Sequence, residues 1–118
     1  MSKKILVVDD EPDVLTFLST LLKDAGYEVL RAKDGIEALQ VAKQKKPDLI
    51  SLDLAMPNNT GTEFYRKLQK DKQIAETPVI IVSGLAGRHL AVRKPVAVFD
   101  KPIDRDEFLK AVRSAIGD

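Results

Sequence analysis

Leu49-Ile50-Ser51-Leu52 is a short, nearly continuous apolar run, and it stops at Asp53. A run with so little polar alternation reads as a central strand covered by helices on both faces. It places a carboxylate at the carboxyl edge of a buried strand, the edge where open parallel sheets bind their ligands. Taken alone, Asp53 also fits an aspartate that merely ends a strand. The rest of the chain bears on that choice.

Ile5-Leu6-Val7-Val8 is a second buried-strand pattern, and it too ends in acids, Asp9-Asp10-Glu11. Pro12 suits a first helical turn, and Val14, Leu15, Leu18, Leu21 and Leu22 recur at helical spacing until Gly26. Tyr27 to Ala32 reads as a strand less buried than the first, with Glu28 and Arg31 marking an edge. Asp34-Gly35 starts a second helix with Ile36, Leu39, Val41 and Ala42, stopped at Pro47. Gly61 opens a third helix carrying Phe64 and Leu68, and Pro78 to Val82 forms a fourth strand ending in Ser83-Gly84. Leu85 to Pro95 holds at most one short helix around His89 to Arg93. Val96 to Phe99 is a fifth strand ending in Asp100-Lys101-Pro102, and Asp104 caps a last helix with Glu107 three residues on. Strands alternating with helices imply an α/β, doubly wound, five-stranded parallel sheet. With strand one central, the order is 2-1-3-4-5, and Asp9, Asp10 and Asp53 meet at the switch point between strands one and three.

Three carboxylates in one crevice repel one another and call for protons or a cation. Oxygen-only ligands favour magnesium or manganese, and magnesium typically takes one or two carboxylates together with water and phosphate oxygens. Ser83 and Lys101 end the neighbouring strands and bring a hydroxyl and an ammonium to the same crevice. That combination suits a phosphoryl group, for which a carboxylate can serve as nucleophile.

Val7-Val8-Asp9-Asp10-Glu11, Asp53-Leu54-Ala55-Met56-Pro57 with Gly61 beyond, Val82-Ser83-Gly84 and Asp100-Lys101-Pro102 stand in order on strand ends. In this the chain resembles the receiver domain of two-component response regulators over essentially its whole length. The resemblance implies a flavodoxin-like, CheY-like fold and an Asp53 that accepts a phosphoryl group from a phosphohistidine on a sensor histidine kinase or a histidine phosphotransfer protein. It further implies Mg2+ (or Mn2+) held directly by Asp10 and Asp53, by Asp9 largely through water, and by the backbone carbonyl of Ala55. Lys101 would pair with one phosphoryl oxygen and Ser83 with another, the Lys101-Pro102 bond would be cis, and Gly84 would leave the phosphoryl group accessible. Such a protein catalyses its own phosphorylation and dephosphorylation and is not a turnover enzyme.

Two features depart from the family's pattern. Ser83 and Lys101 stand 18 positions apart, roughly one helical turn short of the usual spacing, so the helix between strands four and five should be shortened or atypical. The family's switch aromatic commonly lies three before the lysine, where this chain has Val98; Phe99, on the opposite strand face, reads as core. His89 and the nearby Arg88, Arg93 and Lys94 read as solvated, with an acidic partner surface as the sharper alternative for the basic cluster. Met56 reads as loop-to-core packing.

With 118 residues and no cysteine, the chain is expected to fold as one domain spanning 1–118, without disulfides and without an output domain. Nineteen basic and eighteen acidic side chains leave a formal charge of +1, which gives no field that argues for nucleic-acid binding. The first apolar run is too short for a leader or a membrane span. The expectation is a cytoplasmic monomer or weak dimer that signals to a downstream protein target through protein contacts. The competing reading is a metal-binding pseudo-receiver that is not phosphorylated. A phosphatase with an aspartyl intermediate needs a second acid two residues past the nucleophile, where Ala55 stands.

Overall fold

The computed structural model describes residues 2–54, 56, 60–82, 97–99 and 103–117. In chain order the elements are β1 (Lys4–Val8), α1 (Pro12–Asp24), β2 (Glu28–Ala32), α2 (Gly35–Lys45), β3 (Leu49–Leu52), α3 (Thr60–Lys70), β4 (Val79–Val82), β5 (Ala97–Phe99) and α4 (Arg105–Ile116). The strands are parallel and lie in the order β2-β1-β3-β4-β5. Four form the body of the sheet, and the three-residue β5 joins beside β4 through Ile80, Ile81 and Val82. β2 is an edge strand, in keeping with the exposed Glu28 and Arg31.

Alternation along the strands divides the core into two layers. Leu6, Val8, Ile50, Leu52, Val79 and Ile81 face α2 and α3, where Ala38, Ala42, Phe64, Tyr65 and Leu68 complete one cluster. Ile5, Val7, Leu49, Ile80 and Val82 face α1 and α4, meeting Leu18, Leu22, Phe108 and Val112. Every residue of β3 and β4 is buried, which explains the unbroken apolar run of β4 and the nearly continuous one of β3, where Ser51 is the buried polar exception. Phe99 lies in the second layer, edge-on to Phe108 with centroids 5.7 Å apart. It packs as core, in keeping with its place in the sequence. Met56 is likewise buried against the first layer.

The helix ends follow local chemistry. Gly26, with φ of 98°, lets its own N–H reach the Lys23 carbonyl and the Tyr27 N–H reach that of Leu22, the Schellman closure of α1. Asp34 and Asp104 accept hydrogen bonds from the backbone N–H groups of Glu37 and Glu107 at the starts of α2 and α4. α3 starts at Thr60, one residue before the expected Gly61, and Tyr65 joins Phe64 and Leu68 as a buried position that the narrower apolar stripe did not include. Tyr27 begins no strand; its hydroxyl donates to the Gly117 carbonyl at 2.7 Å and ties the end of α4 to the sheet.

Candidate functional site

β1 and β3 are paired in register, Val8 opposite Leu52, so the next residue of each strand emerges side by side at the carboxyl rim. Those residues are Asp9 and Asp53. The ladder extends one step past each strand: the Asp53 N–H donates to the Val8 carbonyl at 3.0 Å, and the Asp9 N–H to the Ala32 carbonyl at 3.1 Å. Backbone pairing therefore fixes where the two carboxylates leave the sheet. Both residues are only 1% exposed. Two buried carboxylates side by side are costly unless a positive charge or hydrogen bonds offset them.

Asp9, Asp10, Glu11 and Asp53 each bring one carboxylate oxygen into a cluster in which all four lie within 4.8 Å of one another, with Asp10 and Glu11 on its exposed side. Oxygens on opposite sides of one magnesium ion stand about 4 Å apart, so the cluster is close to the span of a single hard cation. The donors are all carboxylate oxygens, the set that magnesium or manganese prefers. Asp9, Asp10 and Asp53 are the acids the sequence singled out, and the fold brings them together. Glu11 joins them because the turn is tight: its backbone N–H donates to Asp9 Oδ1 at 2.9 Å. The run Asp9-Asp10-Glu11 carried that signal, although only its first two residues were assigned to the cation. Ala55, Ser83 and Lys101 lie outside the described residues, as do Gly84, the Lys101-Pro102 bond, His89 and its basic neighbours, and the segment 85–95.

Gly61 brings the start of α3 against the same rim. A β-carbon there would meet the Asp53 carbonyl oxygen at 2.6 Å and the Leu54 Cα at 3.2 Å. The start of α3 thus packs against the backbone of Asp53, the residue that follows β3.

The sequence profile of the response regulator receiver domain matches residues 5–113. The chain belongs to the response regulator receiver family. Among relatives of this receiver, protein Rrf1 of Nitratidesulfovibrio vulgaris is 34% identical over 98% of the chain and 84% of its own length. The polar-differentiation response regulator DivK of Brucella ovis is 32% identical over 100% of the chain and 99% of its own. Among solved structures, the chemotaxis protein CheY4 of Vibrio cholerae superposes with a TM-score of 0.88 at 32% identity, covering 98% of this chain and 99% of that one. The receiver domain of the sensor histidine kinase PA1611 from Pseudomonas aeruginosa, with a magnesium ion coordinated in its active site cleft, gives 0.88 at 24% identity over the whole of both chains and shares the fold. The architecture is therefore the α/β, flavodoxin-like fold of CheY. Receiver domains are signalling proteins of two-component systems, not turnover enzymes. Among the described residues, no helix is long and apolar enough to cross a membrane.

Proposed function

We propose that this receiver takes a phosphoryl group onto Asp53 from a phosphohistidine of a sensor histidine kinase or histidine phosphotransfer protein. The observation that carries the reading is the gathering of four carboxylate oxygens within 4.8 Å at the switch point, two of them on residues 1% exposed. One Asp53 carboxylate oxygen bonds to phosphorus as the phosphorus–nitrogen bond of the donor breaks. The imidazole nitrogen keeps the bonding electron pair and takes up a proton. Asp9, Asp10 and Asp53, with the Ala55 carbonyl, would hold Mg2+ or Mn2+. When bound, the cation supplies positive charge that offsets both the acids and the transferring phosphoryl oxygens. Lys101 and Ser83 would receive two of those oxygens, and the same groups serve the later loss of the phosphate.

The family match supports the signalling role, and the relatives DivK and CheY4, matched over 99% of their lengths, support a receiver that acts as a single domain. Its output is a contact with a downstream protein, made in the cytoplasm by a monomer or weak dimer. The test is incubation of the purified chain with acetyl phosphate and millimolar magnesium, read by intact mass. One added phosphate in the wild type and none in Asp53→Asn or in chelator is expected. Magnesium binding without phosphate incorporation from acetyl phosphate or a phosphorylated kinase would overturn the reading and leave a metal-binding pseudo-receiver.

A further inference from the structure

α2 and α3 flank a groove of about 450 Å³ whose walls include Ile36, Leu39 and Phe64. Ile36 is 67% exposed there, so the groove offers an aliphatic surface to solvent. The groove runs on into a basic stretch where Lys43, Lys67, Lys70 and Lys72 surround Asp71, and Leu39 and Lys67 line both parts.

The two helices are locked together at the apolar end. A β-carbon on Gly35 would collide with the Thr60 carbonyl oxygen and come within 3.1 Å of the Phe64 Cβ, so the backbones touch where both helices begin. Along α2 the lining residues Ile36, Leu39, Gln40 and Lys43 follow the i, i+3, i+4, i+7 rule, and Thr60, Glu63, Phe64 and Lys67 do the same on α3. One face of each helix therefore lines the same channel for about 10 Å, two helical turns. The channel is preformed, with apolar walls at one end and ammonium groups at the other.

Its basic end carries four lysines against one acid, Asp71. The four lysines are exposed, and Asp71, the acid among them, already accepts the Gln73 N–H at 2.9 Å. Glu63 at the apolar end is paired with Arg66 at 2.6 Å. Lysines in the last turn of a helix offset its dipole, which accounts for Lys43 on α2 and for Lys67 and Lys70 on α3, while Lys72 lies past the end of α3. It does not account for their convergence beside an exposed isoleucine.

We propose that this groove docks an acidic amphipathic helix of a partner protein, its aliphatic residues against Ile36 and Leu39, over the floor that buried Phe64 supports, and its carboxylates over the lysines. Nucleic acid fits less well, because the aliphatic slot offers a phosphate backbone nothing and the net charge of the chain is only +1. The inference stands independently of phosphorylation at Asp53.

The probe is a fluorescein-labelled synthetic helix of about three turns with leucines at i, i+4 and i+7 and glutamates at its other surface positions. Expected are saturable anisotropy, amide shifts confined to α2 and α3, and at least a tenfold loss of affinity in Ile36→Ser and in the pair Lys67→Glu, Lys70→Glu. These positions are exposed, and circular dichroism confirms folding. Equal binding of a scrambled peptide, shifts elsewhere, unchanged affinity in either variant, tighter binding of an oligothymidylate, or no saturation overturns the proposal. So does self-association of the chain that Ile36→Ser abolishes while the peptide fails to bind.

Discussion

Gly61 stands where a β-carbon would come within 2.6 Å of the backbone carbonyl oxygen of Asp53. No rotamer choice relieves such an approach, because the atom it meets is backbone, and Met56 Cε at 3.2 Å closes another side. Gly61→Ala must move either the start of α3 or the end of β3. We expect a loss of about 1–3 kcal/mol in stability, read as a lower urea midpoint, together with slower phosphorylation by acetyl phosphate. An alanine variant with wild-type midpoint and rate would show that α3 does not hold Asp53 in place.

Ser19 offers an opposite case on α1. It is 4% exposed, and its Oγ has no hydrogen-bond partner among the described residues. A buried hydroxyl left unpaired costs about 1–3 kcal/mol, and alanine is also the better helix former. Ser19→Ala should therefore raise the urea midpoint, by about 1 kcal/mol of added stability. A destabilised variant would mean that Oγ is satisfied in solution.

Much of this was legible beforehand because buried parallel strands leave a signal of two parts, an apolar run and an abrupt polar end. Leu49 to Leu52 followed by Asp53, and Ile5 to Val8 followed by Asp9, mark both the sheet and its functional rim. Gly26 and Asp104 were readable for a local reason, since the helix ends they serve depend on neighbours in sequence. The contact of Gly35 with Thr60 was not, because it joins residues far apart in the chain and no periodicity encodes how closely two helices approach. Ser19 was hidden in the same way: a serine within an apolar stripe looks like any small polar residue until its surroundings are known. Glu11 joined the acids through a turn, whose geometry the residue types alone do not specify.

The acidic rim should also set the stability of the metal-free protein. Asp53, Asp9, Asp10 and Glu11 hold carboxylate oxygens within 4.8 Å of one another, and each pair of like charges at about 5 Å costs about 1–3 kcal/mol at the effective dielectric of a partly solvated site. Asn keeps the shape of Asp53 and removes one charge from the cluster. In chelator, Asp53→Asn should therefore be more stable than the wild type by at least about 1 kcal/mol, the low end for a single one of the three pairs that Asp53 makes. A cation that binds the folded state stabilises it in proportion to the logarithm of its concentration over the dissociation constant. Added magnesium should thus raise the wild-type urea midpoint more than that of the variant and narrow the gap between them. If the variant is the less stable protein in chelator, Asp53 is held by hydrogen bonds that outweigh the repulsion. The cluster would then be a structural network with no need of a cation.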